Sequence, residues 1–196
     1  MKSVQNICVF CGASTKSDPD FYIFAKKVGD LILEKNCNLV YGGAKWGMMG
    51  ELADRVLENG GHVTGIIPKF IQEFEGEVTQ SKMELIVLET MHERKKMMVE
   101  RSDAFLIMPG GYGTLDEFFE ILTWKQLGLH QKPIVIFNPK AYWDYLILLL
   151  DQIVTQNFAP AESLRLYKVV TREEDIFEAL NSQEKFDEPV AKLKWS

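Results

Sequence analysis

Long apolar runs are missing from this chain. The longest strictly apolar stretch, residues 145–150, falls far short of the ~18–20 residues that cross a bilayer, so no membrane partner is expected. A basic excess is missing too: 22 lysines and arginines stand against 28 aspartates and glutamates, for a formal net charge of −6. Nucleic acids and anionic lipid surfaces are held through a basic footprint, so no nucleic-acid partner is expected either. A small basic pocket for one phosphate remains open. Cysteine is scarce and odd in number: Cys8, Cys11 and Cys37 offer no disulfide framework. Cys8 and Cys11 are spaced as a CxxC, but they fall in the apolar run 7–11, and residues three apart on a strand face opposite sides. No metal site is expected from them. That first apolar stretch is also shorter than the ~7–15-residue core of a secretory signal, and the expected setting is a reducing cytoplasm.

What is present is a globular composition. The chain has 196 residues, 46% of them hydrophobic, and a chain of this size can bury about 70% of its unfolded surface. Disorder, collagen and coiled coil are excluded, and length alone suggests about one domain. Short β-branched or apolar runs at 6–11, 38–41, 62–67, 85–88, 104–108 and 134–137 alternate with longer amphipathic ones. That alternation marks βα units, hence an α/β fold with a parallel sheet. Helices are predicted from after Ser17-Asp18-Pro19 to about Lys35, about Met48 to Asn59, about Met91 to Arg101, the glycine run near 110 to about Leu127, and about Tyr142 to Asn157. Residues 68–81 show little periodicity and read as a surface loop or short helix. A short last strand, 167–170, and a closing helix, 171–182, complete the pattern. The charged tail after Gln183 is expected to be loosely held. With no internal repeat and no linker, 1–196 reads as a single domain.

Chemistry concentrates in Pro109-Gly110-Gly111-Tyr112-Gly113-Thr114-Leu115-Asp116-Glu117, between a buried-looking strand and an amphipathic helix. Three glycines in four positions let the backbone turn sharply and leave its N–H groups uncovered. At a helix N-terminus such donors converge on an anion. Thr114 can cap the helix or offer a hydroxyl to a phosphate. The loop is neither a GxGxxG after the first strand nor a Gly-Lys-Ser/Thr P-loop; a plain glycine-rich turn is the alternative. A second cluster, Gly42-Gly43-Ala44-Lys45-Trp46-Gly47, and the turn Gly12-Ala13-Ser14 occupy equivalent places after earlier strands. Together they favour a mononucleotide-sized site at the carboxyl rim of the sheet.

Met91-His92-Glu93-Arg94-Lys95 opens the helix before the fifth strand. Arg94 and Lys95 lie about 100° apart on a helix, so one can face the cleft while the other turns aside. An arginine there can grip a phosphate or ribose hydroxyl with its fork of donors; a solvated charged face fits the same spacing. Glu117, read as a first-turn residue of the phosphate-loop helix, and Glu120 at i+3 can form a carboxylate pair near a bound sugar. An ionised carboxylate there would stabilise the oxocarbenium-like state of glycosidic cleavage. First-turn acids also simply support helices. No partner is evident for His62 or His130.

The two motifs together resemble the Lonely Guy (LOG) family: residues 109–117 match its PGGxGTxxE element and Met91 to Lys95 its Met-x-x-Arg-Lys element. The resemblance runs through Cys11-Gly12-Ala13-Ser14, Gly47-Met48-Met49-Gly50 and His130-Gln131-Lys132-Pro133, about residues 5 to 180. It implies a Rossmann-like, doubly wound, mostly parallel sheet with helices on both faces, assembled as a homodimer with each active site near the interface. It also implies a cytokinin riboside 5′-monophosphate phosphoribohydrolase, cleaving N6-substituted AMP, or AMP itself, to free base and ribose 5-phosphate without a cofactor. By motif, Glu117 would be the catalytic carboxylate and Arg94 its partner at the ribose. Gly110, Gly111, Tyr112, Gly113 and Thr114 would bind the 5′-phosphate, with Lys95, Met91, His92, Thr123, Ser14 and Gly43 completing the nucleotide pocket. Many members are labelled lysine decarboxylases, a label that implies a pyridoxal phosphate lysine, for which no lysine here has a convincing setting. The alternative function is a non-catalytic carrier of a nucleotide or a phosphate-bearing cofactor, since related Rossmann-like proteins carry molybdenum cofactor.

Overall fold

The computed structural model describes residues 4–75 and 83–194. Seven strands form one sheet in the order β4-β3-β2-β1-β5-β6-β7, and every neighbouring pair is parallel. The strands are β1 (Asn6–Phe10), β2 (Asn38–Tyr41), β3 (Val63–Pro68), β4 (Glu84–Leu88), β5 (Ala104–Ile107), β6 (Ile134–Phe137) and β7 (Lys168–Val170). The helices are α1 (Pro19–Glu34), α2 (Gly47–Glu58), α3 (Lys69–Glu75), α4 (Met91–Glu100), α5 (Tyr112–Gln126), α6 (Asp144–Thr155) and α7 (Ile176–Asn181). No described helix is long and apolar enough to cross a membrane.

Alternating side chains on each strand feed two cores. Ile7, Val9 and Cys11 pack on one face with α1, α2 and α7 residues such as Ile32, Leu52 and Phe177. Cys8 and Phe10 pack on the other with Met98, Phe118 and Leu150 from α4, α5 and α6. The two cysteines of the CxxC spacing therefore sit on opposite sides of the sheet, as strand periodicity requires.

Local chemistry fixes the helix starts. The Asp18 side chain accepts from the Asp20 N–H, with Pro19 in the first turn. At α4, Thr90 and Glu93 form a reciprocal capping box that satisfies two otherwise orphaned donors. Residues 69–75 of the irregular segment are the helix α3; the rest of it, 76–81, lies outside the described residues.

Two sequence expectations are corrected. The closing helix does not start at 171: Glu173–Asp175 make a separate 3-10 turn, with Arg172 bonded to Asp175 and Lys27 to Glu173, and α7 begins at Ile176. The described part of the tail, 183–194, is docked. The Gln183 Oε1 accepts from the Ile134 N–H at 3.0 Å and from Lys125 Nζ at 2.7 Å, and Val190 is buried in the second core.

Candidate active site

Chain winding reverses between β1 and β5, which are adjacent in the sheet. In open α/β sheets the crevice at such a switch point, beyond the carboxyl ends of the strands, is where ligands bind. A cleft of about 480 Å³ opens there, within the range of small-molecule sites. Loops after β1, β2 and β5 supply Ser14, Gly42 and Gly110 to it, and the starts of α4 and α5 supply Met91, Arg94, Thr114 and Glu117.

A buried ion pair lies in the cleft. Arg94 Nη1 donates to Glu117 Oε1 at 2.6 Å, with the two side chains 6% and 4% exposed. The Arg94 Nε–H donates to the Ile66 carbonyl at 3.0 Å, at the end of β3, so the guanidinium is fixed at two points. Gly42 makes room for it: a Cβ there would lie 2.4 Å from Arg94 Nη2. Burial pushes the Glu117 carboxyl above the ordinary carboxylate range, while Arg94 pulls in the opposite direction. A buried charge needs such pairing to survive at all.

The helix following the glycine loop starts at Tyr112 with Gly111 in the N-cap position, and no side chain caps it. Thr114 is therefore not the N-cap. It lies in the first turn, buried, with its Oγ1 where a Cβ on Gly110 would come within 2.1 Å. Glu117 accordingly sits one turn deeper than the first turn predicted for it, because the helix begins two residues before Thr114. The two glutamates do not pair with each other either. Glu120 goes to Lys95 at 2.9 Å, and Lys95 also reaches Asp116 at 3.1 Å. Partial burial alone would lower the Lys95 ammonium, but its bonds to Glu120 and Asp116 outweigh this and raise it.

Of the residues singled out from the sequence, Ser14, Met91, Arg94, Gly110, Gly111, Gly113, Thr114 and Glu117 line the cleft. Lys95 and His92 do not: Lys95 is engaged on the side of α4, and His92 is exposed. Tyr112 is 93% exposed on a neighbouring shallow groove. Thr123 lines a separate cavity of about 130 Å³ between α5 and α6. Gly43, with φ of 78°, turns behind the cleft against Ile67. His130 does have partners, contrary to the sequence reading: Nδ1 accepts from the Lys132 N–H, so Nε2 donates to the Ile121 carbonyl. Burial lowers its imidazole to about 4, making it a structural residue. Lys125 is the one fully buried lysine among the described residues, with its pKa lowered by burial to about 8. It donates to the Leu166 carbonyl and Gln183, away from the cleft.

Phe21, Ile71 and Tyr142 also line the cleft and were not marked by any motif; Met49, from the Gly47-Met48-Met49-Gly50 segment, lines it too. Phe21 follows an evident helix start and Tyr142 opens another, but nothing in their spacing says that they meet edge to face, 5.4 Å between centroids.

A doubly wound sheet with a glycine-rimmed cleft at its switch point, closed on a buried arginine–glutamate pair, defines a Rossmann-like α/β protein with a mononucleotide-sized site. A family model described as “Possible lysine decarboxylase” matches residues 49–180. The chain is 37% identical over 194 residues to the cytokinin riboside 5′-monophosphate phosphoribohydrolase LOG7 of Arabidopsis thaliana, covering 97% of this chain and 88% of that one. It is 40% identical over 165 residues to the probable cytokinin riboside 5′-monophosphate phosphoribohydrolase LOGL9 of Oryza sativa subsp. japonica, covering 83% and 71%. The chain belongs to this family, the LOG family. The solved molybdenum cofactor carrier protein of Chlamydomonas reinhardtii superposes with a TM-score of 0.66 at 19% identity, over 91% of this chain and 97% of that one. At that identity the likeness is one of fold.

Proposed function

We propose that the chain hydrolyses the N-glycosidic bond of adenosine 5′-monophosphate and its N6-substituted derivatives, releasing the free base and ribose 5-phosphate. The observation that carries this is the Arg94–Glu117 pair, buried in the same cleft that the uncapped glycine loop borders. The 5′-phosphate sits on the N–H groups of residues 111–114, where the helix dipole favours an anion. That places the ribose toward Glu117. As the C1′–N9 bond breaks, its electron pair leaves with the base and positive charge develops on the sugar ring. The ionised Glu117 stabilises that charge and takes a proton from the water that adds at C1′; the departing base takes up a proton from solvent and Glu117 returns its own to solvent, so the step balances. Arg94 keeps the carboxylate ionised and oriented. Phe21, Ile71 and Met91 supply apolar walls suited to a base.

The active assembly is a homodimer in the cytoplasm. Its interface is the apolar face formed by Tyr112, Leu115, Phe119, Tyr145 and Leu149, which borders the glycine loop. Tyr112 and Tyr145 are 93% and 87% exposed, and apolar surface of this kind on a soluble chain marks an interaction site.

Incubation of the purified protein with AMP and isopentenyl-AMP, followed by chromatography, tests the activity. Release of adenine or its derivative with ribose 5-phosphate is expected. Intact nucleotide beside folded protein would refute it, and tight AMP binding without product would favour the carrier function.

A further inference from the structure

The glycine loop must do more than expose donors. With glycine at 110, 111 and 113, each peptide of the loop can rotate between an orientation that offers N–H to an anion and one that offers a repelling carbonyl. Two carbonyls at the exit of β5 are taken up by groups from elsewhere in the chain. The Pro109 carbonyl accepts from the Gly12 N–H at 3.0 Å. The Gly110 carbonyl accepts from the Tyr142 hydroxyl at 2.6 Å. In a trans peptide N–H and C=O point in opposite directions, so anchoring the Gly110 carbonyl on Tyr142 also fixes the direction of the Gly111 N–H.

Tyr142 is itself held by an unusual approach. Lys140 and Ala141 both lie in the left-handed region, with φ of 55° and 59°, a conformation that side-chain-bearing residues other than Asn and Asp seldom keep without a compensating contact. The compensation is visible. Lys140 Nζ bonds Asp18 Oδ2 at 2.8 Å and Asp20 Oδ2 at 2.7 Å at the start of α1. The Tyr142 ring then packs edge to face against Phe21 and Trp143. The turn before α6 is thus staked to α1, and its tyrosine reaches across the cleft mouth to the loop after β5.

We propose that Tyr142 is a positioning residue for phosphate recognition, holding the Gly110–Gly111 peptide in the anion-accepting orientation before the nucleotide arrives. This rests on the function proposed above and adds to it. A loop set in advance spares the ligand the cost of ordering it. Loss of the hydroxyl should therefore weaken whatever the phosphate contributes and leave the base untouched.

The test is Tyr142→Phe, which keeps the ring and its contacts with Phe21 and Trp143. Calorimetry with the two reaction products separates the effects. Ribose 5-phosphate should bind ~3- to 10-fold more weakly, the span expected for one hydrogen bond, while adenine binds as in the wild type. KM for AMP should rise by the same factor with kcat nearly unchanged. Lys140→Gln, which releases the stake but not the hydroxyl, should move both quantities in the same direction and less far. Equal binding of ribose 5-phosphate by wild type and Tyr142→Phe overturns the role of Tyr142, as does an equal weakening of adenine. A wild type that binds no ribose 5-phosphate overturns the phosphate-loop function itself, and this role with it.

Discussion

Arg94 Nη1 and Glu117 Oε1 meet at 2.6 Å, although they stand 23 residues apart and start from two different helices. The contact exists because β5, lying between those helices in the chain, sets the starts of both α4 and α5 at one rim of the sheet. The pair is poor as a stability device, since replacing such a couple with apolar groups is often neutral. As a catalytic device it makes sense: Arg94 offsets part of the burial that raises the Glu117 carboxyl, and so favours the charged form the reaction uses.

Glu117→Gln should lose turnover by a factor of about 10²–10³, the usual cost of removing a transition-state charge contact, and also some stability, because the buried Arg94 cation keeps a hydrogen-bond acceptor but loses its counter-charge. Adenine release by chromatography, with melting as the control, checks both halves. Arg94→Ala should lose turnover and also stability, by about 3–5 kcal/mol, because it leaves a buried carboxylate unpaired.

The acid limb of the pH–rate profile should lie above 4.5, the ordinary glutamate value, because burial raises Glu117. Stability should run in the opposite sense for this group. With its folded pKa above the unfolded one, the native state binds more protons between the two values, so the contribution of Glu117 falls as pH rises through that window. Denaturant melts of the wild type and Glu117→Gln across that window separate this contribution from the other carboxylates.

Gly42→Ala should disable the site without touching a reacting group. The new Cβ would sit 2.4 Å from Arg94 Nη2, and Arg94 is held at both Nε and Nη1, so it cannot swing away cheaply. A loss of about 1–3 kcal/mol is expected from the overpacking, with turnover falling at least as far as the displaced guanidinium dictates.

Lys125 gives a second pH signal of opposite sign. Burial lowers its pKa from 10.5 to about 8. Between those values the unfolded chain binds the extra proton, so stability from this group rises with pH across the window. The rise should be seen in denaturant melts between pH 8 and 10 and be missing from Lys125→Met.

Leu149→Glu combined with Tyr145→Glu should give a monomer by sedimentation, with melting little changed, since Tyr145 is 87% exposed and Leu149 is half-exposed. A dimer that survives both charges would remove this face as the interface.

The succession of strands and helices along the chain and both motifs were legible in the sequence because each rests on short-range signals: alternating apolar runs, glycine density, a proline and an acid at a helix start. The depth of Glu117 was not, since the N-cap moves from Thr114 to Gly111 and Gly113 itself joins the helix. Nor was the partner of Glu120, which depends on how α4 lies against α5 and not on i+3 spacing. The tail looked free because its sequence is charged. Its attachment runs through Gln183 to the backbone of β6, through Phe186 bonded to the Gln131 side chain, and through Val190 in the second core; isolated anchors in a polar stretch leave no periodicity to read.

The central pairing of the sheet has a consequence for how the protein comes into being. Ile7 in β1 aligns with Ala104 in β5, so during synthesis β1 waits for β5 before its second edge is covered. Until then it offers open backbone to any other nascent chain. Parallel pairings of such sequence separation form slowly, so closing the β1–β5 seam should be a late event in folding.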